Sequence, residues 1–177
     1  MNKPIGVYTL WRSGSTAYCR HISKELDILN FDEMFFNNVI ETKRPLSIAN
    51  IIPTTPQLLN LIDNKFIFKL MPDQLDAPGN VDWRILERRD VETQLLSYCY
   101  AHYTNMWFEK ADQVVTLPMD SAGYFIKYYH KFKRMRRLTE WPVVYYEDLK
   151  LDKSDLQATN NDYKSLILNY KDIISLL

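Results

Sequence analysis

Two rhythms of apolar positions run along the chain. Short runs dense in β-branched and aromatic residues read as strands: Ile5, Val7 and Tyr8 near the start, KFIFKLM from Lys65 to Met71, VDWRILE from Val81 to Glu87, and PVVYY from Pro142. The second of these is almost continuously apolar, as expected of a parallel strand covered on both faces. Between the runs, apolar residues recur at helical spacing. Ala17, Cys19, Ile22, Leu26 and Leu29 share one face of a first helix that starts near Ser15. Thr54-Thr55-Pro56 opens another, with Thr55 as cap and Pro56 in the first turn, leading into Leu58, Leu59, Leu61 and Ile62. Asp90 caps a helix carrying Val91, Leu95, Leu96, Cys99 and Tyr103. From Asp120 to about Glu140 a long helix is predicted, with Tyr124, Tyr128, Phe132, Met135 and Leu138 as its buried stripe. Leu166, Ile167, Tyr170, Ile173 and Ile174 form the apolar side of a C-terminal helix over 162–177. Asn30 to Asn38, Asp76 to Asn80 and Trp107 to Pro118 are left as connections.

Strands alternating with helices predict an α/β fold: three layers, α/β/α, around a mostly parallel sheet of about four to five strands. With 177 residues the chain reads as a single domain, 1–177. Lys plus Arg and Asp plus Glu number 22 each, so the formal net charge is zero. General attraction to nucleic acid or to a membrane surface is not expected from that balance. Two cysteines, Cys19 and Cys99, make no framework of staples and read as small buried hydrophobes. With no signal pattern and no apolar run of about 18 residues, a soluble, cytoplasmic protein is expected. The 12 Tyr, 8 Phe and 4 Trp suit a packed core or an aromatic-lined cleft.

Candidate chemistry gathers where the strands end. Arg12-Ser13-Gly14-Ser15-Thr16 follows the first strand and opens the first helix, so its amides lie at a helix N-terminus, which favours an anion. Arg12 adds a planar fork suited to phosphate or sulfate oxygens, and the hydroxyls of Ser13, Ser15 and Thr16 add donors. Lys69 stands late in the second strand, and Arg88 and Arg89 follow the third. In parallel sheets such ends converge on one crevice. A Walker A loop is excluded, because Thr9 stands where its first Gly would be and Ser15 where its Lys would be. GxSxG is absent, His21, His102 and His130 fall in helical stretches, and no Cys/His spacing suggests zinc. Arg89 and Ser97 are eight residues apart, which lets a strand-end Arg and a Ser two turns into the next helix face one phosphate. Arg88 is assigned a structural or surface role, since neighbouring residues of a strand point to opposite sides. The run KFKRMRR, Lys131 to Arg137, reads as the solvated face of an amphipathic helix.

RSGST after a first strand, followed by the Arg89/Ser97 spacing within LERRDVETQLLSY and by Tyr146-Glu147-Asp148-Leu149, resembles the sulfotransferases that use 3′-phosphoadenosine 5′-phosphosulfate (PAPS). The resemblance touches most of the stretch from Pro4 to Leu149 and is strong at the two nucleotide motifs. It implies a P-loop-like fold and in-line transfer of a sulfuryl group from PAPS to an acceptor hydroxyl, with no metal. Arg12 to Thr16 would hold the 5′-phosphosulfate, and Arg89 with Ser97 the 3′-phosphate. Lys69 resembles the strand-end lysine that contacts the transferring group. The family's His after that lysine is missing, for Leu70-Met71-Pro72 follow. Glu33 is therefore the expected base: the Arg-type members use a Glu after the first helix, and Phe31, Met34, Phe35 and Phe36 surround it with apolar side chains. Asp32 and Asp73 are its rivals. The Gly-rich basic segment that completes the nucleotide site in cytosolic members has no counterpart after Leu149. The acceptor, whether small molecule, carbohydrate or peptide, is open. A nucleotide-binding module without transfer and a small-molecule kinase of similar fold are the alternatives.

Overall fold

The computed structural model describes residues 3–33, 65–74, 77, 79–107, 111–151 and 162–177. Five strands form one sheet: β1 (Ile5–Thr9), β2 (Leu29–Asn30), β3 (Phe66–Leu70), β4 (Asp82–Glu87) and β5 (Val143–Tyr145). Their order is β2-β3-β1-β4-β5, and each of the four pairings is parallel. β1 and β3 are buried at every position, as their nearly continuous apolar character suits, with Thr9 and Lys69 as the polar residues among them. The helices are α1 (Ser15–Leu26), α2 (Val91–Thr104), α3 (Asp120–Leu138), α4 (Tyr163–Leu166) and α5 (Tyr170–Ile174).

Alternation along the strands separates two apolar clusters. Ile5, Val7, Ile67 and Leu86 pack with Tyr18, Cys19 and Ile22 of α1. Tyr8, Phe68, Trp83 and Ile85 pack with Leu95, Leu96, Phe125, Phe132 and Ile173 from α2, α3 and α5. Right-handed crossovers that leave β1 and β4 in opposite directions put their helices on opposite faces, which accounts for this division. The direction of travel through the sheet therefore reverses beside β1, and the carboxyl ends of the strands at such a point are where open parallel sheets take ligands.

Several elements differ from the sequence reading. The helix expected after Thr55 and the residues Met34 to Phe36 lie outside the described residues. β2 is an additional strand of two residues, too short to carry a periodic signal. Leu29 belongs to it and not to the face of α1, while Leu26, at the last turn of α1, is exposed. In α3 the buried residues are Ala122, Phe125 and Phe132; Tyr124 is nearly half exposed and Leu138 largely so. The stripe thus runs one residue away from the one predicted at its start, because Phe125 stacks on Tyr129 and packs against Tyr98 of α2. The C-terminal helix is broken into α4 and α5. Ile167 bridges to Val115, and the side chain of Asn169 exchanges two hydrogen bonds with the backbone of Leu117 at 2.9 and 2.8 Å. These tertiary bonds replace the helical ones across residues 167–169.

Candidate functional site

β1 ends at Thr9, whose hydroxyl is fully buried and donates to the carbonyl of Leu86 at 3.0 Å. With that hydrogen committed, Ser13 Oγ donates to Thr9 Oγ1 at 2.6 Å. Ser13 and Ser15 are both buried, so their side chains shape the loop from inside. Arg12 and Gly14 take positive φ, 59° and 83°. At Arg12 this left-handed conformation is one that side chains adopt at a cost of about 1–2 kcal/mol, a form of strain that concentrates at functional turns. A Cβ on Gly14 would run into the ring of Tyr146, so glycine is required for the turn and for the ring that packs on it. α1 begins directly after, at Ser15, without a side-chain cap. Its first-turn amides have no intrahelical acceptors.

Two strand ends meet this loop on the α1 side. Lys69 of β3, 4 % exposed, donates from Nζ to Thr16 Oγ1 at 2.7 Å. The same Nζ lies 2.9 Å from Asp32 Oδ1 and 2.9 Å from Glu33 Oε1. Local structure explains how the acids arrive there. Parallel pairing continues past β2 through Phe31 N–H to the Ile67 carbonyl and Lys69 N–H to the Asp32 carbonyl, both 2.9 Å. Asn30 Oδ1 accepts from Asp32 N–H at 2.9 Å, and Asp32 turns with φ 50°. Burial alone would lower the Lys69 pKa, but Glu33 and Asp32 outweigh it and hold Lys69 above the ordinary lysine value. It is therefore a protonated, buried cation at physiological pH. Cys19, beneath it in α1, is pushed up to about 12 by burial, against the pull of Lys69.

Arg12 sends its side chain across the sheet end to α2. Its Nε donates to Ser97 Oγ at 2.7 Å, Nη1 to the Trp107 carbonyl, and Nη2 approaches Tyr163 Oη at 3.5 Å. Arg12 and Ser97, expected at opposite ends of a nucleotide, are thus hydrogen-bonded to each other. Arg89 is engaged elsewhere. Its two terminal nitrogens meet Asp148 Oδ1 and Oδ2 at 2.6 and 2.7 Å, and its guanidinium stacks on Tyr145 at 4.1 Å. Among the described residues no hydrogen bond joins Arg89 to Ser97. Glu147 accepts from the backbone N–H of Arg89 at 3.1 Å, so YEDL fastens the start of α2 to the end of the sheet. Arg88 reaches the loop itself, with Nη1 donating to the Arg12 carbonyl at 3.3 Å.

Asp73, the other acid considered as a base, accepts from Tyr124 Oη at 3.1 Å. Burial raises its pKa, opposed chiefly by that hydrogen bond and reinforced by the charge of Glu33. Tyr124 belongs to an aromatic group with Trp11, Tyr98 and Tyr128 that borders the loop. The basic run of α3 is largely committed: Lys133 and Arg136 bind Glu87 at 2.7 and 2.6 Å, and Lys131 donates to the Pro72 carbonyl. Among the described residues no group of three His, Cys, Asp or Glu is arranged to hold a metal ion, and no helix is long and apolar enough to cross a membrane.

The loop and Lys69 meet at the strand ends, and Asp32 and Glu33, read from the sequence as loop residues after the first helix, join them there. The contacts of Tyr146 with Gly14 and of Tyr163 with Arg12 leave no signal in the sequence, since nothing in one sequence ties residues so distant to the loop. No protein-family model matches the chain, and no curated protein matches it.

Proposed function

We propose that this chain is a PAPS-dependent sulfotransferase. The observation that carries the reading is the Thr16–Lys69–Glu33 chain of contacts, 2.7 and 2.9 Å, which links the loop, a buried cation and a carboxylate at one end of the sheet. A nucleotide's 5′-phosphosulfate suits the amides at the start of α1 and the hydroxyl of Thr16. Its 3′-phosphate would take Arg89 from Asp148, together with Ser97. Glu33 removes the proton of an acceptor hydroxyl as the new oxygen–sulfur bond forms. The bond from sulfur to the bridging phosphate oxygen breaks, and adenosine 3′,5′-bisphosphate leaves with the bonding pair. Lys69 and Arg12 oppose the negative charge that grows on the bridging and phosphate oxygens, each charged hydrogen bond contributing about 1.5–3 kcal/mol and more where it strengthens in the transition state. The acceptor belongs to one of three classes: small alcohols, carbohydrates or peptides.

Calorimetric titration with adenosine 3′,5′-bisphosphate, followed by transfer of radiolabelled sulfate to representatives of each acceptor class, tests the proposal. Binding that Arg89→Ala weakens, together with labelled product, is expected. Absence of binding overturns the reading, and binding without product on every acceptor leaves a nucleotide-binding module in its place.

A further inference from the structure

The geometry points to Arg88, and not only to Arg12, as the guanidinium that holds an anion over the RSGST loop. The strand register supplies the first part of the case. β1 and β4 pair with Thr9 opposite Leu86, so Arg88, two residues on, lies level with the loop that leaves β1. Side chains alternate along a strand, and the even positions of β4 face α1: Arg84 Nη1 bonds Tyr18 Oη at 3.2 Å, and Leu86 packs with Tyr18, Cys19 and Ile22. Arg88 continues that face past the end of the strand, over the N-terminus of α1. Lys69 is its counterpart on β3, at the other side of β1, where Ile67 likewise faces α1 and Thr16 receives the Nζ bond. The loop thus has one cation on each flank, each carried by a strand hydrogen-bonded to β1.

The second part is the state of the two arginines. Both terminal nitrogens of Arg89 are matched to Asp148. Arg88 donates to a loop carbonyl, and its Nε, a buried atom, has no hydrogen-bond partner among the described residues. Glu147 Oε1 forms an ion pair with that Nε at 3.9 Å, too long for a hydrogen bond, and accepts the Arg89 backbone N–H at 3.1 Å. Nε is covered, so an anion would meet the terminal nitrogens. Among the described residues these make one hydrogen bond between them, and they lie beside a helix N-terminus, an arrangement suited to a phosphate or sulfate group. Tyr146 completes the position: Arg88 Cζ lies 5.6 Å above its ring, and that ring packs on Gly14. The ring holds the guanidinium against the loop without using up a hydrogen bond. In role Arg88 is a ligand of the anion at the loop, and Arg89 binds the distal phosphate.

This assignment rests on the reading of the loop as an anion cradle, but its test separates the two. Inorganic pyrophosphate and adenosine 3′,5′-bisphosphate are titrated by calorimetry into the wild-type chain, Arg88→Gln and Arg89→Ala, each first checked for an intact melting transition. Gln keeps a polar side chain at the position and removes the charge and the guanidinium fork, and Arg88→Lys, which restores the charge, should recover part of the pyrophosphate affinity. Arg88→Gln is expected to weaken both probes about 10- to 100-fold, as loss of one charged hydrogen bond does. Arg89→Ala is expected to weaken the bisphosphate and leave pyrophosphate within about two-fold. Pyrophosphate affinity unchanged in Arg88→Gln overturns the assignment while the donor reading stands. Pyrophosphate bound through Arg88 by a chain that ignores the bisphosphate overturns the donor reading and keeps Arg88. Failure of both probes on the wild-type chain overturns both.

Discussion

Lys69 Nζ sits 2.9 Å from Glu33 Oε1, and the lysine is nearly inaccessible while the glutamate side chain keeps 24 % of its exposure. Lys69→Met is therefore expected to strand Glu33 and Asp32 as neighbouring like charges. Removing one member of a buried pair costs about 3–5 kcal/mol, and the exposure of the two acids puts this case near 3 kcal/mol. The sign with pH follows from the raised lysine pKa. The stabilisation is fully present below the ordinary value of 10.5 and is lost as pH rises through the higher folded value. Thermal melts from neutral to strongly alkaline pH should show a fall in the parent that is flatter in Lys69→Met; parallel curves would show that the pair contributes nothing.

Glu33→Gln separates chemistry from binding. The amide keeps the shape of the side chain and cannot take a proton, so transfer should slow by about 10²–10⁴-fold while the affinity for adenosine 3′,5′-bisphosphate stays within about two-fold. Transfer at the parent rate would hand the base to Asp32 or Asp73.

At Gly14 two constraints act on one position, the φ of 83° and the ring of Tyr146. Gly14→Ala should cost about 2 kcal/mol or more in urea unfolding. Adding Tyr146→Ala relieves the collision but not the backbone strain, so the double variant should recover about 1 kcal/mol relative to additivity. Strict additivity would show that the ring does not rest on the loop.

Asp73 has the reverse sign from most acids. Burial lifts its folded pKa above the ordinary 3.8, so its ionisation opposes folding, and stability on its account falls as pH rises through that window. Asp73→Asn keeps an acceptor for Tyr124 and should raise the melting temperature at pH 7. The gain should vanish near pH 3, where the parent is protonated; a gain independent of pH would point to packing.

The sheet was legible because β1 and β3 are buried on both faces and so carry nearly continuous apolar runs, while α1 and α2 begin at clear signals, Gly14 and the Asp90 side chain that accepts from Thr93 N–H at 2.9 Å. Meeting of Lys69 with the loop followed from strand ends alone. Ion pairing and distant contacts were not legible. Arg88 and Arg89 do alternate as expected, but which of them faces the loop depends on the side of the sheet that α1 covers, and that is set by the crossover. β2 is too short for periodicity, although it is the pairing that carries Asp32 and Glu33 to Lys69. The break between α4 and α5 depends on Asn169 finding Leu117, a partner 52 residues away.

The buried Thr9–Ser13 hydroxyl pair, anchored in turn on the Leu86 carbonyl, fastens the first half of the loop to both central strands before any ligand arrives. Ordering a backbone residue costs about 1–2 kcal/mol. In this loop that cost falls on folding, so under the proposed function an incoming anion would meet donors already in position, and its affinity would not have to offset the ordering of the loop.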